Sequence, residues 1–335
     1  MAPAPQPASV SMRDVARRAG VSPATVSRSL RGISNVSPET RERVLQAATD
    51  LAYVRPHPVQ YVGVLAQYPA HWFHASAIAA AERVVRRSNR SLVLHSIGDA
   101  EARRHLFDEV APRHQFDAIL VVSSSFTDAE QEALRKLDVP ICVVGGHLPG
   151  WPRVGIDDRA SAAMAVQHLV GLGHRDIGLI ALEPHSAVGV ETTAARRAGF
   201  DEALTRAGLE QRPEWIVAGT SNVTGGILAA ERLLTQPKLP TALFAMSDEM
   251  ALGALQTLRR AGIRVPAQMS VIGFDDHEMA PCGDLTTIAQ PVEIQATMAT
   301  TLLLDQLEGK ASTGPREITL RTRLVVRGST GPPPG

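Results

Sequence analysis

Two sets of residues in this 335-residue chain have the types and spacing to do chemistry. The first is a short run near the N-terminus: Ser22, Pro23, Ala24, Thr25, Ser27 and Arg28. Small side chains let a helix approach base edges, hydroxyls bond phosphate, and an arginine fork pairs with guanine O6 and N7. The second set is spread through the remainder. Arg196 is a fixed fork of donors, and Asp275, just after an apolar run, is a pure acceptor. Together they suit a ligand with adjacent hydroxyls, each donating and accepting at once; the alternative is a plain ion pair. Trp72 and Phe73 follow the first apolar run of that region, where rings pack against a sugar face or nucleobase, or complete an ordinary core. His71 and His74 have a three-residue spacing but no clear third ligand, so no metal and no other cofactor is expected. The chain has no Gly-x-Gly-x-x-Gly opening a helix, no phosphate loop and no Gly-x-Ser-x-Gly elbow, which argues against an enzyme.

Elements that would position the first set are plain in the sequence. Ser11 caps a helix carrying Val15, Ala16 and Ala19, and Gly20 ends it. Ser22 and Pro23 open a second helix, about 23–30, with Val26 and Leu30 inward. Ser37 and Pro38 open a third, with Val44, Leu45, Ala48 and Leu51 at helical spacing. Two helices joined by a tight glycine turn form a helix-turn-helix, its second helix the candidate reader of the major groove. A basic three-helix bundle is the alternative on pattern alone.

The second set lies in a different pattern. Short apolar runs at 61–65, 91–95, 118–122, 141–144, 177–180, 215–217, 242–245 and 270–273 alternate with helical stretches at 74–88, 160–172, 194–207, 224–234 and 249–261. That repeat predicts doubly wound parallel sheets, and a break near Gly150 divides them into two lobes. Ligands of such sheets bind at the carboxyl ends of the strands, here in the cleft between lobes. Gln290 falls where the chain would cross back between lobes, so it serves either the ligand or the crossing.

Charge follows the same division. The whole chain has formal net charge +0, but residues 1–60 hold eight arginines against four acids, a net +4 on the end that would face phosphate. No apolar stretch of about 18 residues is present to span a membrane. The stretch 1–8 lacks a basic and apolar secretory pattern, and the two isolated cysteines fit a reducing cytoplasm.

The run from Met12 to Leu30, then Val36-Ser-Pro-Glu-Thr-Arg-Glu-Arg-Val and Leu51-Ala-Tyr, closely resembles the headpiece of the lactose-repressor/galactose-repressor (LacI/GalR) family. The resemblance continues in Val166–Ile180, Arg196-Arg-Ala-Gly-Phe, Ser247-Asp-Glu-Met-Ala-Leu-Gly-Ala, Val271-Ile-Gly-Phe-Asp-Asp and Leu285-Thr-Thr-Ile-Ala-Gln-Pro, and so covers almost the whole chain. It implies that Pro23, Ala24 and Arg28 touch base edges and that Ser22, Thr25, Ser27 and Asn35 complete the DNA-contact set. It also implies that Arg196, Ser247 and Asp275 stand at effector-binding positions, which with Trp72, Phe73 and Gln290 from the residue reading make the expected effector set. The family usually has Asn where this chain has Ser247, and a hydroxyl is shorter with one fewer hydrogen-bonding group. A second departure is the linker. Relatives place a DNA-wedging hinge helix there, whereas Arg55-Pro-His-Pro-Val-Gln60 has two prolines separated by one residue and no leucine. That segment favours an extended strand of roughly 19 Å at ~3.1 Å per residue.

The expectation is therefore an all-α helix-turn-helix headpiece plus an α/β, two-lobed, doubly wound, periplasmic-binding-protein-like sensor domain. The boundaries are a disordered tail at 1–10, the headpiece at 11–54, a linker at 55–60, the sensor at 61–328 and a disordered tail at 329–335. Lobe 1 takes about 61–156 and 290–318, lobe 2 about 157–289 and 319–328. The expected function is a cytoplasmic, homodimeric transcription regulator, a repressor in sign, that binds a palindromic double-stranded DNA operator under control of a small polar effector and has no membrane partner. A solute-binding protein of a transporter fits the body alone, and the headpiece argues against it.

Overall fold

The headpiece helices begin and end where local chemistry dictates. Gly20, at φ +66°, supplies the left-handed residue that ends α1 (Met12–Ala19). Ser22 then caps α2 (Pro23–Leu30), its Oγ accepting the Thr25 N–H at 3.1 Å. Ser37 does the same for α3 (Pro38–Asp50) through the Thr40 N–H at 3.2 Å. Val15, Ala16, Ala19, Val26, Val44 and Ala47 bury a small core among the three helices. Leu45, expected inward, is exposed, because Ala47 takes the buried face beside Val44.

The structure, a computed structural model, describes residues 12–30, 36–51, 61–111, 116–183, 190–310 and 317–335. The expected Ser11 cap, the 1–10 tail, Asn35 and the 55–60 linker lie outside the described residues. The chain divides into two units, residues 1–59 and 60–335.

The second unit contains two six-stranded sheets. One joins β1 (Tyr61–Ala66), β2 (Ser91–Ser96), β3 (Ala118–Val122), β4 (Ile141–Val144), β5 (Arg153–Ile156) and β11 (Glu317–Leu320) in the order β11-β5-β4-β3-β1-β2, all parallel. The other joins β6 (Ile177–Leu182), β7 (Ile216–Gly219), β8 (Ala242–Ala245), β9 (Ser270–Asp275), β10 (Thr286–Ala289) and β12 (Arg323–Val325) in the order β12-β10-β9-β8-β6-β7, with only β12 antiparallel. Helices cover both faces, so central strands such as β3 and β8 are apolar throughout. In the first lobe Val62, Leu120 and Val144 pack beneath α4 (Trp72–Arg87) and α11 (Val292–Leu307). In the second, Phe200 of α8 (Val190–Arg206) stacks near Phe244, while α9 (Val223–Leu234) and α10 (Asp248–Arg260) cover the other face. The chain crosses between lobes three times: from β5 into α7 (Asp158–Gly171), from β10 into α11, and from β11 into β12. Trp215, expected to begin a strand, instead closes a short 3₁₀ turn, with its indole N–H donated to the Lys238 carbonyl at 2.8 Å.

The last seven residues correct an expectation. A Pro/Gly-rich tail was expected to be disordered, yet residues 329–335 strap the second sheet. Ser329 is 2 % exposed; its Oγ donates to the Val271 carbonyl at 2.6 Å and accepts the Thr286 N–H at 2.8 Å. The Val271 N–H bonds the Ser329 carbonyl at 2.8 Å, and buried His174 lies 2.8 Å from the Gly331 carbonyl. The tail is ordered because sheet groups near β9 and β10 would otherwise be buried without partners. Truncation after Gly328 is expected to lower the stability of the second unit by about 3 kcal/mol or more, at ~1 kcal/mol per hydrogen bond plus unsatisfied groups. A urea melt followed by tryptophan fluorescence checks this.

Candidate functional site

A cavity of about 200 Å³ lies where the carboxyl ends of the strands of both lobes converge. Its walls come from residues just past those ends: Tyr68 after β1, Ser123 after β3, Gly145 after β4, Asp158 after β5, Thr220 after β7, Ser247 after β8 and Gln290 after β10. Strand ends converge in this way because every strand but β12 points the same way in its sheet.

Arg196 is the centre of the second wall. Its Nε donates to Asp158 Oδ1 at 2.9 Å and its Nη1 to the Met246 carbonyl at 2.5 Å. Its Nη2 is 4.0 Å from Asp275 Oδ1, and its plane lies 3.7 Å over the Phe274 ring. The guanidinium is thus locked, with its remaining N–H groups turned toward Asp275 and the cavity. Asp158 begins α7 directly after β5, beside Asp157, which caps that helix through the Ala160 N–H.

Asp275 ends β9 at φ +126° and Asp276 follows at +61°, both in the left-handed region that favours glycine. Asp276 pairs with Arg327 at 2.7 Å and Arg323 at 3.5 Å, contacts that hold the strained turn. The Asp275 carboxyl accepts the Gln290 amide at 2.5 Å, and Gln290 accepts from the fully buried Gln295 at 3.1 Å. Burial pushes Asp275 up to about 6, with the Arg196 charge opposing. Asp248 lies behind it, accepting from Thr287 at 2.7 Å and from the His277 N–H at 2.8 Å, and burial with the Asp275 charge pushes it to about 7. Glu249 does face the cavity. Burial and Asp275 push it to about 7 against the support of the Trp72 main-chain N–H.

The first-lobe wall is aromatic and histidine-rich. Phe73 lies against Gly145, where a Cβ would stand 2.9 Å from the ring, so glycine is what admits Phe73 to the wall. His74 meets Phe73 edge-on at 5.7 Å and is 5 % exposed, with the Ser123 main chain as its polar support and no side-chain partner among the described residues. Burial, then the neighbouring His71, pushes His74 down to about 4.

Five of the six sequence-derived effector residues therefore line one cavity: Phe73, Arg196, Ser247, Asp275 and Gln290. Ser247 is partly committed, since its Oγ caps α10 by accepting the Met250 N–H at 3.3 Å. Trp72 does not line the cavity. As the first residue of α4 its ring leans away from the helix body and meets His277 of the other lobe at 5.2 Å, an interlobe contact. Sequence reasoning missed Asp158, Glu249 and the polar face of His74. The Asp157-Asp158 pair after a short apolar run was the available signal for the first.

In the headpiece, Ser22 and Pro23 are exposed at the start of α2 and Thr25 is half-buried one turn on. Ala24, Ser27 and Arg28 lie on the same helix by backbone placement. A helix-turn-helix unit followed by a two-lobed, cleft-bearing unit defines a class: DNA-binding regulators that respond to a ligand.

Comparison with known proteins agrees with that class. Residues 11–56 match "Bacterial regulatory proteins, lacI family", and residues 166–330 match "Periplasmic binding protein-like domain". The HTH-type transcriptional regulator GalS of Salmonella typhimurium is 35 % identical over 314 residues, covering 90 % of this chain and 91 % of that protein. The HTH-type transcriptional repressor CytR of Escherichia coli is 33 % identical, covering 97 % of each. Among solved structures, a transcriptional regulator CelR–cellobiose complex superposes with TM-score 0.72 at 31 % identity, covering 96 % of this chain and 99 % of that one. A lac repressor dimer bound to operator and the anti-inducer ONPF gives 0.71 at 27 %, with the same coverage. The chain belongs to the lacI family of bacterial regulatory proteins. It is a DNA-binding transcription regulator rather than an enzyme, and its sensor unit has the periplasmic-binding-protein-like fold.

Proposed function

We propose that this protein is a cytoplasmic, homodimeric repressor whose two headpieces read the halves of a palindromic operator. A small polar molecule bound in the interlobe cavity sets its operator affinity. The observation that carries the reading is the convergence of Arg196, Asp275, Gln290, Ser247 and Phe73 on one cavity bounded by both lobes. A ligand there touches both lobes and the Gln290 crossing, so it couples to their relative position. Two-fold symmetry matches a palindrome because one short recognition helix reads only a half-site.

Pro23, Ala24 and Arg28 face base edges in this reading, and Ser22, Thr25, Ser27 and Asn35 face the backbone. Fluorescence anisotropy with operator DNA tests it. Arg28→Ala is expected to weaken operator binding by about 1–3 kcal/mol and to relax the preference at one base pair of each half-site. A uniform loss on every sequence would instead place Arg28 on phosphate. Since Arg55–Gln60 holds Pro56 and Pro58 and no leucine, the bound operator is expected to stay unkinked in an end-labelled energy-transfer measurement.

A further inference from the structure

The charged lining of the interlobe cavity is unequal. Asp158, Glu249 and Asp275 face it, with Arg196 the one cation among the described lining residues. Arg196 is bonded to Asp158 at 2.9 Å and stands 4.0 Å from Asp275. Arg153, the next cation along, is held by Glu317 at 2.6 Å. Glu249 has no ion pair among the described residues, and its recorded support is a main-chain N–H at the start of α4. The opposite wall does not supply the missing charge. His74 and His71 are both held in the neutral form by burial. His74 is nevertheless buried on the same cavity, its support a main-chain contact to Ser123. The cavity therefore sets three carboxyls against one guanidinium on one side and a neutral imidazole on the other.

We propose that the effector is a single-ring polyol carrying a basic amine, an amino sugar or aminocyclitol, whose ammonium lies between Glu249 and Asp275 and whose ring hydroxyl bonds His74. A hydroxyl in place of the amine would hydrogen-bond these carboxyls but bring no counter-charge, whereas an ammonium favours their ionised form, which burial otherwise disfavours, and pairs with it. A phosphate or carboxylate would add a further like charge. Size agrees: a cavity of about 200 Å³ has room for a single ring. Phe73 offers that ring an apolar face, and neutral His74, its N–H turned to the Ser123 main chain, offers a lone pair that accepts from a ring hydroxyl.

This assignment rests on the cavity being the effector site, and the test separates the two. Calorimetric titration of the full-length protein compares glucosamine, glucose and glucose 6-phosphate. Glucosamine is expected to bind at least about tenfold more tightly than glucose, since charge-assisted hydrogen bonds are roughly twice as strong as neutral ones, with no heat from the phosphate. Glu249→Gln keeps an acceptor for the Trp72 N–H and removes the charge, so it should bring the amine's advantage down to about threefold or less. Asp275→Asn, measured beside it, should act in the same direction. Equal or tighter binding of glucose, preference for the phosphate, an amine preference that survives both variants, or no binding of any probe overturns the assignment. Thr193→Trp fills the cavity and should abolish all binding. Binding that persists there would overturn the cavity reading itself, whereas a neutral sugar lost in Thr193→Trp leaves the cavity reading intact and overturns only the amine.

Discussion

Arg196→Ala is expected to abolish the ligand response and to unfold the second unit about 3–5 kcal/mol more easily at pH 7.5. The size follows from what the guanidinium holds. It bonds Asp158 and the Met246 carbonyl, faces Asp275 and stacks over Phe274, all at 7 % exposure. Removing it leaves two buried carboxyls without a counter-charge and a carbonyl without a donor. Those carboxyls can take up protons, so the deficit should shrink when the melt is repeated at pH 5. Arg196→Lys keeps the charge but offers no planar fork to reach Asp158 and Met246 together, and so should recover stability in part and ligand binding little. Urea melts of the three proteins at both pH values, read by fluorescence, settle it. Trp72, Trp151 and Trp215 all lie in the second unit, so the signal reports that unit alone. A loss below about 1 kcal/mol for alanine would mean that Arg196 is not the electrostatic centre of the cleft.

What the sequence revealed and what it concealed have physical causes. Elements with a local signature were legible: caps at Ser22 and Ser37, the turn at Gly20, and central strands whose two buried faces make them continuous apolar runs, as in Ala118–Val122. Strands β5, β10, β11 and β12 were not, because they are three or four residues long, β10 opens on two threonines rather than an apolar run, and β11 and β12 lie at sheet edges where polar residues are tolerated. Arg196, Ser247, Asp275 and Gln290 were legible through motif resemblance and Phe73 through its place after the first strand, and all five line one cavity. Trp72 was misassigned because adjacency to Phe73 says nothing about direction: consecutive helical residues point about a hundred degrees apart. Asp158 and Glu249 were missed because their importance is a property of burial and of neighbours brought from elsewhere in the chain. The C-terminal strap escaped notice because its bonds join residue 329 to residues 271 and 286, a pairing no local pattern encodes.

Stability of the second unit should fall on both sides of a maximum, with the alkaline limb owed to the carboxyl cluster. Asp248, Glu249 and Asp275 are moved from ordinary values of 3.8, 4.5 and 3.8 to about 7, about 7 and about 6. In the unfolded chain they release protons near pH 4. Folded, they retain them to about 6–7. Between those limits the folded state binds more protons than the unfolded one, so this contribution is fully present below about pH 4 and is lost as pH rises through 6–7. Buried histidines act in the opposite sense. His74 is lowered to about 4, and His71, His95, His168, His174 and His277 are lowered by burial as well. Their contribution is present above the ordinary value of 6.5 and is lost as pH falls. The histidines therefore set the acid limb, and above about 6.5 the carboxyls are left to act alone. Each unit of displacement is worth about 1.4 kcal/mol, so the cluster's penalty at pH 8 is on the order of a few kcal/mol after the mutual repulsion of its members is shared among them. Asp248→Asn isolates it. Asparagine can accept the His277 N–H through its oxygen and donate to the Thr287 hydroxyl through its nitrogen, so it keeps the bonds and removes the charge. Urea midpoints between pH 5 and 8.5 should then show the variant falling less steeply than the parent from pH 5 to about 7, with no further difference in slope once Asp248 has ionised above about pH 7.5. Parallel curves would mean that Asp248 is not held protonated by its surroundings, and that the pH response of the cleft belongs to Glu249 and Asp275.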